Sequence, residues 1–283
     1  MVSFREFINA YRQIGLNPNQ PVIVHAALST IGEIRGGAET VLGALLSMTR
    51  GVMAPTFTYK TMIIPEFGPI NNAMTYGGGA RNRHAEFFRP DMPCDPSMGI
   101  LPETIRTHPD ALRSTHPIMS FAGIGVEKAL RSQTYQDPMA PIGVLASEGG
   151  QVLLIGVNHT SNTSIHYAER LASRKQFVRW ALTPQGVREC PYFNGCSEGF
   201  EKAAPYLAAI TRTTTLGSAT IRAIPLAPML QILCGLIKEQ PLALLCETGE
   251  DRCEAVRRAV KASNEVEQIK RASAVGGLNT SHD

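Results

Sequence analysis

The sequence has no CxxC pair, no uninterrupted apolar segment of membrane-spanning length and no block of like charge. Its six cysteines are scattered over 283 residues, a pattern that predicts neither a disulfide framework nor a zinc ribbon. The longest apolar stretch, Ile224–Ile237, contains two prolines and a glutamine and is shorter than the roughly 20 residues that a bilayer requires. The formal net charge is only +3, so nucleic acid is not an expected partner. We expect a soluble cytoplasmic protein with free thiols that binds neither nucleic acid nor a membrane.

Several motifs of nucleotide and metal sites are also missing. The chain has neither the Gly-Lys-Ser/Thr of a phosphate-binding P-loop nor a dinucleotide GxGxxG. The phosphate loop of the common acetyltransferase fold begins with Gln or Arg, and Ser120 stands there in the segment SFAGIG. HExxH is absent, and His159 and His166 have no carboxylate or cysteine at ligand spacing. We therefore expect no metal.

Apolar runs of strand length alternate with helical patterns along the chain. Strands are predicted at Pro21–Ala26, Gly51–Thr58, Gln151–Val157, Gln176–Thr183, Gly217–Ile224 and Leu242–Cys246, with Gly186–Tyr192 as an antiparallel addition. Helices are predicted at Phe4–Ile14, Ala38–Met48, Pro141–Ser147, Ser164–Ser173, Glu198–Arg212, Leu226–Lys238 and Glu250–Ala272. This alternation is typical of a three-layer α/β/α sandwich with a mostly parallel, mixed sheet. We expect one domain over residues 1–275 and a polar tail over 276–283.

The segment GGQVLLIGVNHTSNTSIHYAER places one histidine where catalysis is favourable. A buried strand, Gln151–Val157, is followed by a loop of small polar residues and by a helix that opens at Ser164, so His166 lies in a first helical turn. The positive end of the helix dipole disfavours protonation of a nearby imidazole, and a neutral imidazole can accept a proton. Open α/β sheets bind ligands in crevices beyond strand ends. The alternative is a capping or core-edge histidine.

Three other features carry polar groups in patterns that suit a ligand. PETIR and RSTHPIMS, at residues 102–106 and 113–120, concentrate cations, hydroxyls and imidazoles that suit phosphates or an amide chain, although Arg106 and Arg113 also fit structural roles. VIVHAALSTIGEIRGG, at residues 22–37, has the pattern of strand, small-residue turn and helix, a geometry that can cradle phosphate. The long irregular stretch Tyr59–Pro102 is predicted to be a functional loop.

These segments together resemble the aminoglycoside 3-N-acetyltransferase family. The family blocks are present in order as VHAALSTIG, PETIRTHPDALRSTHPIMSFAGIG and VLLIGVNHTSNTSIHYAE, and the resemblance spans roughly Pro21 to Arg170. It implies that acetyl-CoA donates its acetyl group directly to an amine in a ternary complex. His166 is then the general base, and Thr163, Ser164 or a backbone N–H supplies the oxyanion donor. The residues that the resemblance places along the cosubstrate are His25, Ala27, Leu28, Ser29, Arg113, Ser114, His116 and Thr163.

A catalytic imidazole needs a carboxylate on its other nitrogen, and the sequence offers two. Glu169 shares a helix face with His166, and Glu198 stands where the family places an acid near its substrate. Recognition of a polycationic aminoglycoside also requires local carboxylates. The acids expected near the cleft are Glu66, Asp91, Asp95 and Glu201, besides Glu198. The expected partner is a small-molecule amine, an aminoglycoside in the first instance, and we leave a homodimer open as the assembly.

Three alternatives stay open from the sequence. The first is an N-acyltransferase of a small amino metabolite such as an aminophosphonate, because the segment after Tyr192 lacks the acid-rich character of the resistance enzymes. The second is a ping-pong acetyltransferase with Cys196 as its nucleophile. The third is a protein that binds coenzyme A or another small molecule without turnover.

Overall fold

The computed structural model describes residues 1–276, and the predicted tail beyond Gly276 lies outside these residues. Its strands are β1 (Pro21–Ala26), β2 (Gly51–Pro55), β3 (Met62–Ile63), β4 (Leu112–Arg113), β5 (Phe121–Ile124), β6 (Gln151–Ile155), β7 (Phe177–Thr183), β8 (Gly186–Phe193), β9 (Arg212–Leu216) and β10 (Ala219–Pro225). The helices are α1 (Phe4–Gln13), α2 (Gly37–Met48), α3 (Ile100–Thr107), α4 (Glu127–Arg131), α5 (Ala140–Ser147), α6 (Ser164–Leu171), α7 (Ala204–Leu207), α8 (Leu226–Glu239) and α9 (Asp251–Gly276).

A seven-stranded mixed sheet of order β4-β5-β2-β1-β6-β10-β9 forms the centre of the fold. At its middle, β1 pairs in parallel with both β2 and β6. The outer strands add to this parallel core in antiparallel fashion. The carboxyl ends of β1, β2 and β6 therefore meet at one edge of the sheet.

Helices cover both faces of this sheet, as alternation along the buried strand β6 shows. Val152 and Leu154 belong to one apolar cluster, with residues of α4, α5, α6 and α8. Leu153 and Ile155 belong to the other, with residues of α1, α2 and α3. Successive strand residues point to opposite faces, so two core layers enclose the sheet. The predicted α/β class with a mixed sheet is confirmed.

The predicted antiparallel addition is part of a second sheet, of order β3-β7-β8. β7 and β8 pair as a hairpin, and β3, which lies within the long irregular stretch, pairs with β7 through Met62 and Ala181. The irregular stretch is thus fixed to the hairpin by a short ladder.

Two sequence predictions of secondary structure are wrong. Leu242–Cys246 is a turn and coil rather than a strand, because the carbonyls of Pro241 and Ala243 accept hydrogen bonds from the Arg174 side chain instead of a neighbouring strand. The predicted helix Glu198–Arg212 is a series of short helical turns with Pro205 near its middle, and Arg212 already begins β9. Proline removes a helical hydrogen bond and interrupts a continuous helix.

Within residues 1–276, no helix is both long enough and apolar enough to cross a bilayer.

Candidate active site

His166 lies in the first turn of α6, as the sequence predicts, and two features hold it there. Oδ1 of Asn162 accepts the backbone N–H of Ser164, the first residue of α6, at 3.2 Å. The His166 ring packs against Phe200, with 4.7 Å between the ring centroids. One face of the imidazole is thus covered by Phe200, and the ring is held at the start of α6.

The buried carboxylate of Glu169 contacts His166 on one side and Arg174 on the other. Glu169 Oε2 lies 2.7 Å from His166 Nδ1, and Arg174 Nη1 donates to Glu169 Oε1 at 2.8 Å. The side chains of His166 and Glu169 are exposed by only 8% and 5%, so water competes little for these contacts. The sequence left Glu169 and Glu198 as candidates for the carboxylate that contacts the His166 imidazole. In the structure Glu169 makes this contact.

The charge state of Glu169 follows from its neighbours. Burial alone would raise the pKa of this carboxyl, but the hydrogen bond from His166 and the charge of Arg174 hold its pKa below the ordinary value. A carboxylate accepts, so His166 Nδ1 carries the hydrogen of this contact. In the neutral imidazole with this tautomer, Nε2 bears the lone pair and is the atom that can accept a proton.

His166 lines a cleft of about 710 Å³ beyond the carboxyl ends of the parallel strands. Its lining comes from the ends of β1 and β2, the loop before α6, the segment after β8 and residues near the start of α3. This is the edge at which open α/β sheets bind ligands. A second cleft of about 470 Å³ adjoins it and shares Val157, Thr160 and Ser161; its further lining residues include Thr30, Ser218, Thr220 and Arg222.

Five of the eight residues predicted along the cosubstrate line the larger cleft. They are His25, Ala27, Leu28, Ser29 and Thr163. His25 is almost fully buried, and burial lowers its pKa to about 3, so this imidazole is neutral. Its Nε2 is buried without a hydrogen-bond partner among the described residues. A buried polar atom in this state can be satisfied by a ligand.

The other three predicted cosubstrate residues make contacts within the protein. Arg113 donates to the carbonyls of Thr56 and Pro90 at 2.8 and 3.1 Å and to that of Met92, and burial lowers its pKa to about 10. Ser114 exchanges hydrogen bonds with the backbone of Phe121, at 2.8 Å for the bond that it accepts.

His116 is buried and directly precedes a turn, and its Nδ1 accepts backbone hydrogen bonds from Ile118 and Met119 at 3.2 and 3.0 Å. Burial lowers its pKa to about 4. These contacts of Arg113, Ser114 and His116 fix the segment before β5, and a contact of any of them with cosubstrate stays a prediction.

The acids predicted near the cleft have varied surroundings. Glu66 and Asp91 are exposed, and Asp95 Oδ1 accepts the backbone N–H of the cleft residue Ser97 at 3.0 Å. Glu201 Oε2 accepts the backbone N–H of His159 at 2.8 Å.

Glu198 is exposed, and its Oε2 accepts the hydroxyl of Thr248 at 2.8 Å. No aspartate or glutamate is among the described residues that line the larger cleft.

Polar residues of the cleft that the sequence did not reveal include Tyr59, Asn194 and Arg252. Asn194 is buried, and its Oδ1 has no partner among the residues described. Arg252 donates through Nε to Glu250 at 2.6 Å and through Nη1 to the carbonyl of Gly195 at 3.1 Å. Only the tertiary fold brings these residues beside His166, and no local pattern marked them.

A buried imidazole with a charged carboxylate behind it, in a cleft at the strand ends of an α/β sheet, defines a site able to perform general base catalysis. A family profile described as aminoglycoside 3-N-acetyltransferase matches residues 23–237 of this chain. The chain belongs to this family.

Relatives with curated descriptions carry the same family name. The chain is 32% identical over 174 residues to aminoglycoside N(3)-acetyltransferase VII of Streptomyces paromomycinus, covering 58% of this chain and 60% of that protein. It is 29% identical over 164 residues to aminoglycoside N(3)-acetyltransferase III of Serratia marcescens, covering 56% and 61%. The chain thus spans about three fifths of the length of these relatives.

Solved structures show the same fold. The aminoglycoside acetyltransferase AAC(3)-IVa apoenzyme superposes with a TM-score of 0.75 at 23% identity, over 91% of this chain and 97% of that one. AAC-IIIb, in a binary complex with CoASH, superposes with a TM-score of 0.68 at 22% identity, over 84% and 97%.

Proposed function

We propose that this protein is an acetyl-CoA-dependent N-acetyltransferase that transfers the acetyl group directly to an amine of an aminoglycoside, the 3-amino group of 2-deoxystreptamine. The observation that carries the proposal is the His166–Glu169 pair at the wall of a cleft, in a chain of the aminoglycoside 3-N-acetyltransferase family. A gentamicin complex of a variant of AAC(3)-IVa, a structural neighbour, supports the acceptor class.

The two adjoining clefts suit a cosubstrate with an amide chain at one end and phosphates at the other. In the larger cleft, His25 Nε2 and Asn194 Oδ1 are buried polar atoms without partners among the residues described, which fits a polar ligand. In the smaller cleft, Arg222 and the hydroxyl side chains of Ser161, Ser218 and Thr220 offer donors that suit phosphate. We infer that the acetyl end lies near His166 and the nucleotide end near Arg222.

His166 would act at the attacking amine. An amine must be neutral to attack a thioester, and Nε2 of His166 takes the proton that the nitrogen loses as the new C–N bond forms. The C–S bond of the thioester then breaks, and coenzyme A leaves as a thiolate that takes up the proton held by His166. Glu169 stabilises the imidazolium that results, and Arg174 holds Glu169 in place. Thr163, which lines the cleft at the start of α6, is the side chain we assign as donor to the carbonyl oxygen where negative charge develops.

A ping-pong route through Cys196 has less support. Burial raises the pKa of the Cys196 thiol, which opposes the thiolate that a nucleophile requires. Its Sγ lies in a cluster with the sulfurs of Cys246 and Cys253. The buried His166–Glu169 pair fits proton abstraction from an amine in a ternary complex.

Arg252 favours a second candidate acceptor, a small amino metabolite with an anionic group, such as an aminophosphonate. This guanidinium lines the larger cleft, whose described lining residues include no carboxylate. A cation in the wall repels a polycationic acceptor and attracts a phosphonate or carboxylate. Glu250 pairs with Arg252 and offsets part of its charge.

A thiol-release assay with acetyl-CoA tests both candidates. The acceptor panel contains 2-deoxystreptamine aminoglycosides and small amines with and without an anionic group, and His166→Ala serves as the inactive control. Release with aminoglycosides, with the product acetylated at the 3-amino group, supports the main proposal. Release only with an anionic small amine supports the second candidate. Coenzyme A binding without release for any amine would contradict both and favour a binding protein.

A further inference from the structure

Three buried cysteines converge on one point beside the cleft. The sulfurs of Cys196, Cys246 and Cys253 all lie within 4.8 Å of one another. They come from three separate segments: the loop after β8, the loop before α9 and the first turn of α9. All three are buried free thiols. No sequence pattern marks this cluster, because none of its members forms a CxxC pair.

The backbone segments that carry Cys196 and Cys246 pack closely against each other. Gly199, three residues after Cys196, lies against the turn that carries Cys246. A Cβ atom at Gly199 would come within 2.4 Å of the Leu244 carbonyl oxygen and 2.7 Å of the Cys246 nitrogen. Leu244 itself adopts a φ of 64°, a conformation that is costly for a non-glycine residue. The loop after β8 and the loop before α9 are therefore in close backbone contact near the sulfurs of Cys196 and Cys246.

Each sulfur also accepts a hydrogen bond. The backbone N–H of Glu198 donates to Cys196 Sγ at 3.4 Å, and that of Cys246 donates to Cys253 Sγ at 3.4 Å. The hydroxyl of Thr248 donates to Cys246 Sγ at 3.2 Å. A neutral thiol is a weak acceptor, whereas donors aimed at sulfur are the second layer typical of a thiolate–metal site. Packing alone explains buried cysteines but not three sulfurs that each face a donor.

We propose that Cys196, Cys246 and Cys253 bind a Zn²⁺ ion. Zinc takes thiolate ligands at about 2.3 Å, so two sulfurs on a tetrahedral ion stand about 3.8 Å apart, which is compatible with three sulfurs that all lie within 4.8 Å of one another. As each S–Zn bond forms, its thiol releases one proton to solvent, and no oxidation or reduction occurs. No histidine or carboxylate among the described residues completes this group, so water or an exogenous ligand takes the fourth position.

Such an ion would fix one wall of the cleft. Gly195 and Ser197, on either side of Cys196, line the cleft, and so does Arg252, the neighbour of Cys253. Zinc would join these segments through their cysteines without contacting His166. Loss of the metal should therefore raise the KM for the acceptor more than it lowers kcat.

Metal analysis of the whole protein tests this proposal. The protein is produced with zinc in the medium and purified under reducing conditions without chelator, and its metal content is measured by mass spectrometry. We expect stoichiometric zinc in the wild type and in Cys234→Ser and Cys190→Ser, which alter cysteines outside the cluster. Cys196→Ser, Cys246→Ser and Cys253→Ser should each lose most of it.

A spectroscopic measurement on the wild type covers the case in which a variant fails to fold. Cobalt exchanged into the native protein should give thiolate-to-cobalt charge-transfer absorption and the visible bands of a tetrahedral ion, and thiol titration with a mercurial should release the metal. A reduced wild-type protein that takes up neither Zn²⁺ nor Co²⁺ would overturn the proposal. So would metal that persists in the triple serine variant, or a disulfide between two of the three cysteines in protein purified under reducing conditions.

Discussion

Arg174 and Glu169 form an ion pair shielded from solvent, with 2.8 Å between Nη1 and Oε1 and with side chains exposed by only 3% and 5%. Arg174 also donates through Nη2 to the backbone carbonyls of Pro241 and Ala243, at 2.9 and 2.6 Å. The carboxylate behind His166 is thus tied to the turn between α8 and α9. The hydrogen-bond partners of the Arg174 side chain are Glu169, Pro241 and Ala243 and do not include His166, so we assign Arg174 the role of positioning Glu169.

Arg174→Gln should lower both kcat and stability. Removal of one partner from a buried ion pair leaves the other charge uncompensated, which costs about 3–5 kcal/mol. Chemical denaturation measures this change, and steady-state kinetics below the unfolding range measure kcat and KM. Arg174→Lys should recover part of the activity, and Arg170→Gln, which removes a more exposed pair with Asp137, should change little. A large loss of stability with unchanged kcat would reduce Arg174 to a purely structural role.

His166→Ala should leave the fold and coenzyme A affinity near those of the wild type while lowering kcat roughly 100- to 10,000-fold, the usual contribution of a positioned general base. Circular dichroism, calorimetric titration with coenzyme A and the thiol-release assay measure the three quantities. His159→Gln is a matched control, because His159 is a buried histidine on the neighbouring turn whose ring contacts Asn162. Unchanged kcat in His166→Ala would refute the assignment.

Glu169→Gln should lower kcat by up to about 10⁴-fold, because a neutral amide neither fixes the imidazole tautomer nor stabilises the imidazolium. The stability effect depends on pH with a defined sign. The folded-state pKa of Glu169 is depressed, so its charge stabilises the fold above the unfolded pKa of about 4.3, and this contribution is lost as the pH falls through the lower folded value. The difference in unfolding free energy between wild type and Glu169→Gln should shrink in acid.

Denaturant titrations at neutral pH and at successive acid pH values test that sign. A difference that is constant with pH would mean that Glu169 contributes through packing alone. A difference that grows in acid would contradict the ion-pair assignment, because it requires a raised rather than a depressed folded pKa.

The placement of His166 could be predicted from the sequence because strand, polar loop and helix are local patterns. β6 and α6 form where the apolar run and the small polar residues predict them. The side chains that complete the site were harder to find. Arg174 contacts Glu169 five residues earlier, but its guanidinium is also bound by the carbonyl of Pro241, more than sixty residues away, and Arg252 enters the cleft from α9. Nothing near either residue in the sequence encodes the contact.

The resemblance to a family located segments better than it located side chains. His25 and Thr163 line the cleft, whereas Arg113, Ser114 and His116 make hydrogen bonds within the protein, and the cosubstrate role of all five stays a prediction. A motif fixes where a residue stands in the chain, whereas neighbouring backbone carbonyls decide where a guanidinium points. The prediction of one helix over residues 198–212 was wrong because a series of short helical turns has the same apolar spacing as one continuous helix.

Arg113→Ala should act on stability rather than on cosubstrate binding. Its guanidinium donates to the carbonyls of Thr56, Pro90 and Met92, and an unsatisfied buried acceptor costs about 1–3 kcal/mol. We expect the unfolding free energy to fall by at least about 2 kcal/mol on the same scale. The KM for acetyl-CoA should change little at temperatures where the variant is folded. Arg89→Ala, an exposed cation paired with Asp91, is the control. A selective rise in that KM with unchanged stability would return Arg113 to the cosubstrate.

Arg252→Gln distinguishes the two candidate acceptors by the sign of its effect on KM. If the acceptor carries a phosphonate or carboxylate, loss of this cation should raise its KM about 10-fold or more, because a hydrogen bond to a charged group contributes about 1.5–3 kcal/mol. If the acceptor is a polycationic aminoglycoside, removal of a like charge from the cleft wall should lower KM instead.

Glu198→Gln completes the comparison, since loss of its carboxylate should raise KM for an aminoglycoside and flatten the rise of KM with salt. KM is measured for both acceptor classes over a range of ionic strength. Changes in KM of opposite sign in the two variants would identify the acceptor as a cation. No change in either variant would remove both residues from acceptor recognition.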